Sequence, residues 1–128
     1  MQRQEMFDKA YNGVLDQGFP AWSGEQGMCT YYENGRMCAL GLILGEDLAR
    51  DWAFRGVVDV WDALHTDGLE VPDWVYEEVD FLAQIQEAHD TDAGYAVVEG
   101  EVDAWRESFK NKISIIAKMY RLTVPERN

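Results

Sequence analysis

Near the end of the chain, apolar residues recur at helical spacing. Val102, Trp105, Phe109, Ile113, Ile116 and Tyr120 fall on one face of a helix drawn over about 99–121. Six such side chains carry too much apolar surface to be left in water, so the rest of the chain must supply a matching surface. A second stripe, Met6, Phe7, Ala10, Tyr11, Val14 and Leu15, predicts a helix over about 2–17, with Gly18 as its left-handed cap. Gly13 inside it costs about 1 kcal/mol relative to Ala. A third, Val75, Val79, Leu82, Ile85 and His89, predicts a helix over about 73–89, entered through Pro72. Leu48 with Trp52, and Val57, Val60, Trp61 and Leu64, fit two shorter helices, and Thr91 to Gly94 reads as a loop.

The clearest signal of another kind is Asn34-Gly35, flanked by Met28–Tyr32 and Met37–Leu40. Asn-Gly favours the two-residue type I′ turn, and Thr and Tyr suit a strand. With that turn, paired residues sum to 69, so Cys29 should face Leu40 and Cys38 should face Tyr31 on the buried side of a hairpin. The expected fold class is α+β: a mainly helical single domain, 1–128, of four to five helices with one β-hairpin near 28–40.

Charge narrows the function classes. The chain has 24 Asp and Glu against 11 Lys and Arg, a formal net charge of −13. Such a surface does not neutralise phosphates, which argues against direct nucleic-acid binding and against an anionic membrane. The longest strongly apolar run, 39–44, is far short of a membrane span. With no secretory pattern after Met1, the expected location is cytoplasmic. Cys29 and Cys38 are too few for a disulfide scaffold and are expected to be reduced.

The acids are also segregated. Between Gly56 and Trp105 there are 14 acidic residues and no Lys or Arg, whereas 106–128 carries six basic residues against two acidic ones. On a helix over 73–89, Asp73, Glu77, Asp80 and Glu87 form one outward stripe, with like-charge neighbours that each cost roughly 0.2–0.5 kcal/mol. One reading is self-neutralisation by the cationic end of the last helix, Arg106, Lys110, Lys112, Lys118 and Arg121. The other is a binding face for a basic surface, with imitation of nucleic-acid phosphate rows as its extreme form. The candidate partner-binding residues are Asp73, Glu77, Glu78, Asp80, Glu87, Asp90, Asp92, Glu99, Glu101 and Asp103, with Trp22 as an aromatic anchor in an exposed loop.

Catalytic patterns are weak. Cys29 and Cys38, with eight residues between them, and the distant His65 and His89 match no common zinc spacing. Asp90, Asp92 and Glu101 have the outer spacing of a calcium loop, but Tyr95 stands where that loop needs glycine. His89-Asp90 has the order of a phosphohydrolase HD dyad, and with His65 it defines the alternative of a metal-dependent hydrolase. A cysteine nucleophile needs an adjacent base and a cationic setting, for which the hairpin offers Arg36 at most. The expectation is no catalytic residue, no metal and no cofactor.

Two segments resemble a family of small phage and prophage proteins of about this length. The matching residues are Cys29, Tyr31, Gly35, Cys38, Ala39 and Gly41, then Leu82, Ile85, Gln86, His89 and Asp90, then Trp105. The opening Arg3-Gln4-Glu5-x-Phe7-Asp8 is similar too, whereas Leu44–Leu48 departs from the family's I-P-D-E-x-Y. The family carries no established chemistry; the resemblance implies a phage setting, and with it the host cytoplasm. Together with the charge, the expected function is non-enzymatic: binding and inhibition of a basic host protein, a nucleic-acid-processing or defence factor. A phage structural or regulatory role, with oligomeric state left open, is a further alternative.

Overall fold

A computed structural model describes residues 1–127. Helix α1 (Arg3–Gln17) leads through β1 (Trp22–Ser23), β2 (Met28–Cys29), β3 (Tyr32–Glu33) and β4 (Arg36–Met37) into α2 (Ala39–Leu44) and α3 (Glu46–Phe54). Then follow α4 (Val60–Leu64), α5 (Asp73–Glu77), α6 (Val79–Asp90), α7 (Ala93–Glu99) and α8 (Val102–Met119). The class is α+β, mostly helical with two small antiparallel hairpins. No helix among the described residues is long and apolar enough to cross a membrane.

The two terminal stripes form as their spacing predicts. Met6, Phe7, Ala10, Tyr11 and Val14 are buried in α1, and Trp105, Phe109, Ile113 and Ile116 in α8. Gly18 closes α1 with φ 68°, its N–H donating to the Val14 carbonyl. Gly13 has a packing reason: a Cβ there would lie 2.8 Å from the Leu42 side chain, so the glycine lets α2 approach α1. Helix α6 sits at the centre, packed against α1, α2, α4, α5, α7 and α8.

Four sequence expectations are corrected. The helix over 73–89 is two helices, broken at Glu78 (φ −116°, ψ 22°), and Phe81 joins its buried face while Val79 is only half-buried. The segment 93–99, read as loop to Gly94 and as the start of the last helix only at about 99, with 95–98 unassigned, is α7, which ends at Gly100 in the left-handed region (φ 71°). Trp61 is exposed; Val57, Val60 and Ala63 fill the interior there instead.

The hairpin is the fourth correction. Its turn and register are as expected: Asn34 and Gly35 have positive φ, and Tyr32 pairs with Met37 and Glu33 with Arg36. The ladder stops after those pairs, and donors beyond it bond elsewhere. The Thr30 N–H donates to the Ala21 carbonyl, extending the pairing of β2 with β1, so Cys29 faces Trp22 rather than Leu40. The Leu40 N–H donates to the Gln86 side chain, and Cys38 becomes the N-cap of α2, its sulfur accepting from the Gly41 N–H. The all-apolar run 39–44 is thus a buried helix.

Candidate functional site

Two polar arrangements stand out: a buried network where the hairpins meet α6, and the acidic surface of α5 to α8.

The network begins with the i, i+3, i+4 spacing of Gln86, His89 and Asp90, which places them on one side of α6 facing the hairpins and α2. Gln86 Oε1 accepts from the Leu40 N–H at 3.0 Å, and its Nε2 donates to both Asp90 carboxylate oxygens at 2.9 and 3.1 Å. His89 is fully buried; its Nε2 accepts from the Ala21 N–H at 3.3 Å, and Nδ1 lies 2.7 Å from Asp90 Oδ1. Since Nε2 is an acceptor, the ring proton sits on Nδ1 and is donated to Asp90. The His89 carbonyl in turn accepts from Trp105 Nε1 at 2.9 Å.

Both thiols gather at the same carboxylate. Burial, then the Asp90 charge, pushes the Cys38 thiol up to about 12 and raises that of Cys29 as well. Both shifts favour the protonated thiol, whereas the thiolate is the reactive form. Tyr31 is buried beside them, its hydroxyl without a hydrogen-bond partner among the described residues.

Cys29, His89 and Asp90 bring a sulfur, a ring nitrogen and a carboxylate oxygen within 4.8 Å of one another. The donor types suit zinc, but both imidazole nitrogens are engaged. A metal on Nδ1 would move the ring proton to Nε2, against the Ala21 N–H; a metal on Nε2 would displace that N–H. The hydrogen bonds therefore fit a clamp joining β1, β2 and α2 to α6 better than a metal centre. His65 is exposed and lies outside this group, so the hydrolase constellation of His65, His89 and Asp90 is not assembled.

The acidic candidates divide into three sets. Asp73, Glu77, Asp80, Glu87, Asp92, Glu99 and Glu101 are exposed and form no ion pair among the described residues. Asp103 is exposed but pairs with Arg106, and Glu78 pairs with Arg3. The Arg3 guanidinium also lies over the rings of Phe81 and Tyr120, at 5.7 and 4.8 Å. Asp90 is turned inward to the clamp. The break at Glu78 means the free acids do not form one straight stripe: Glu77 and Asp80 flank a hollow with Arg3 and Tyr120, whereas Glu87, Asp92 and Glu101 line hollows beside Thr91.

Among the described residues the cationic tail forms no ion pair with these acids, although Lys112 lines the same hollow as Glu87. Arg106 and Lys110 pair with Asp103 and Glu107 of their own helix, and Lys118 is exposed without an ion pair among the described residues. Trp22 is not the exposed anchor expected of it. It is half-buried, its indole lying so close over Gly94 that a Cβ there would come within 2.5 Å of the ring. Sequence reading missed the Gln86 clamp and the exposed Tyr95 and Ile115. Ile115 was legible as an apolar residue off the inner stripe of α8; Gln86 gave no signal beyond its place in the HD-containing segment. No protein-family model matches the chain, and neither a curated protein nor a solved structure matches it.

Proposed function

We propose that the chain is a non-enzymatic, acidic protein of phage origin that binds and inhibits a host protein with a basic surface, a nucleic-acid-processing or defence factor. One observation carries the reading: seven exposed carboxylates, Asp73, Glu77, Asp80, Glu87, Asp92, Glu99 and Glu101, form no ion pair among the described residues although six basic residues follow in sequence. A solvated helical surface ordinarily intersperses both signs. Uncompensated negative charge speeds encounter with a positive patch and suppresses binding to polyanions. The phage setting and the nucleic-acid-related partner rest on the sequence resemblance and on charge complementarity. Weighing against the alternative of a metal-dependent hydrolase, His65 lies outside the group of Cys29, His89 and Asp90, and both nitrogens of His89 are hydrogen-bonded.

The test is affinity capture from host lysate at low and high salt, followed by assay of the captured protein's own activity with and without this chain. Capture should weaken sharply with salt, charge reversal by Glu77→Lys with Asp80→Lys should abolish it, and the captured protein's activity should fall on binding. Capture that ignores both salt and charge reversal, or that leaves the captured protein's activity unchanged, would refute the proposal.

A further inference from the structure

We infer that the furrow between α8 and the edge formed by α6 and α7 is a docking groove for a basic amphipathic helix of a partner protein. This rests on the acidic-face reading and adds to it a second contact for the same partner, apart from the Glu77 and Asp80 end of that surface. On the α8 side the furrow is lined by Ala104, Ser108, Lys112 and Ile115. Spaced four, four and three apart, they form a single stripe about 16 Å long, or three helical turns. The facing wall is Gln84, Glu87 and Thr91 at the end of α6, then Asp92 and Tyr95 at the start of α7. Two hollows, of about 280 and 350 Å³, follow the stripe and share Thr91 where the wall passes from α6 to α7.

The furrow combines two features that a water-facing surface ordinarily keeps apart. Large apolar side chains stand open along it: Tyr95 is 65% exposed and Ile115 60%, and Met119, one turn beyond Ile115, is 63% exposed. Around them Glu87, Asp92 and Glu101 carry no ion pair among the described residues, and Lys112 is the one cation in the lining. Three carboxylates against one ammonium around an apolar strip complement a helix with leucine-like residues on one face and Lys or Arg beside them. Helix-in-groove recognition uses such i, i+4, i+7 anchors. A second copy of this chain would bring the same acidic rim and a net charge of −13, and nucleic acid would bring phosphates; both are repelled.

The test uses the whole chain and a dye-labelled amphipathic peptide of leucine and lysine, about 14 residues long, nearly four turns. Fluorescence anisotropy reads the affinity, and far-UV circular dichroism checks that each variant is folded. Ile115→Ser and Tyr95→Ser, both at exposed positions, should each weaken binding about tenfold, as should Glu87→Lys with Asp92→Lys. Glu77→Lys with Asp80→Lys, outside the furrow, should change it by less than about twofold. Equal binding of a scrambled peptide, or wild-type affinity in the Ile115 and Tyr95 variants, would overturn the groove by showing attraction through charge alone. Self-association in sedimentation equilibrium that Ile115→Ser abolishes would overturn it in favour of a second copy. If the peptide fails to bind while salt-sensitive capture of a host protein persists and is lost on reversal at Glu77 and Asp80, the groove falls and the broader proposal stands. If both fail, both fall.

Discussion

Replacing Gln86 with leucine tests whether the buried network holds the fold together. Leu40 is the second residue of α2, so its N–H is one of the first-turn donors that no helical carbonyl can satisfy. Cys38 caps the neighbouring Gly41 N–H, and Gln86 reaches across from α6 to cap Leu40. Ala39, Leu40 and Gly41 are buried, so water does not replace a lost partner. Gln86→Leu orphans the Leu40 N–H, at about 1–3 kcal/mol, and removes a donor from Asp90, at about 1 kcal/mol since His89 still donates. The sum, roughly 2–4 kcal/mol, corresponds to a fall in Tm of roughly 6–20 °C for a chain of this length. Urea unfolding followed by tryptophan fluorescence measures it directly. Gln86→Glu adds a sign. It keeps an acceptor for Leu40 but sets a second carboxylate against Asp90, so the pair retains a proton and its apparent pKa rises in the folded state. Stability from that proton is present at acidic pH and lost as pH rises, so this variant should lie closer to wild type at pH 5 than at pH 7. A Gln86→Leu midpoint within about 0.5 kcal/mol of wild type would refute the clamp.

Three further outcomes follow from the same geometry. Gly41→Ala should destabilise by roughly 1–3 kcal/mol despite alanine's helix preference, because a Cβ there would lie 2.6 Å from the Tyr31 carbonyl oxygen; denaturant titration reads it, and a stabilised variant would count against the packing. Tyr31→Phe should leave stability unchanged or raise it by about 1 kcal/mol, since the buried hydroxyl it removes has no partner; a loss above that in the same titration would mean the hydroxyl is bonded. The Cys38 thiol, ordinarily near 9 and pushed up to about 12 by burial and Asp90, favours the folded state fully below pH 9 and loses that advantage between pH 9 and 12, at about 1.4 kcal/mol per pH unit. Unfolding curves of wild type and Cys38→Ala should therefore converge as pH rises through that window, and thiol alkylation of the native chain should be slow at pH 8.

What the sequence revealed and concealed has physical reasons. The stripes of α1 and α8 were legible because each is long enough for periodicity to dominate. The Asn34-Gly35 turn was legible because few dipeptides tolerate two positive φ values. The run 39–44 was ambiguous because an all-apolar segment lacks any period, and the tertiary cap from Gln86 decided it for a helix. The division at Glu78 was hidden because no Gly or Pro marks it; in the fold Glu78 instead pairs with Arg3 from the start of α1. Asp73, Glu77, Asp80 and Glu87, expected on one outward stripe, are exposed, but their arrangement depends on that break. The segments that carry the resemblance, around Cys38 and around His89, lie some 50 residues apart, and only the fold brings them together at Leu40, Gln86 and Asp90.

The free acids and the clamp respond to salt in different ways, and this separates binding from folding. Gln86, His89 and Leu40 exchange their hydrogen bonds in the interior, beyond the reach of mobile ions. The seven unpaired carboxylates are exposed, and a net charge of −13 makes their repulsion act against the compact state. The exposed ion pairs, such as Lys9 with Glu5 and Arg55 with Asp51, each contribute at most about 1 kcal/mol. If repulsion among the acids dominates these small terms, as the net charge of −13 leads us to expect, added sodium chloride should raise the free energy of unfolding while weakening any basic partner's affinity. Measured on the isolated chain and on the complex across one salt series, the two slopes should have opposite signs. A fold that loses stability with salt would show that the exposed pairs, not the uncompensated acids, dominate the surface energetics, and would remove the physical basis for an open negative face.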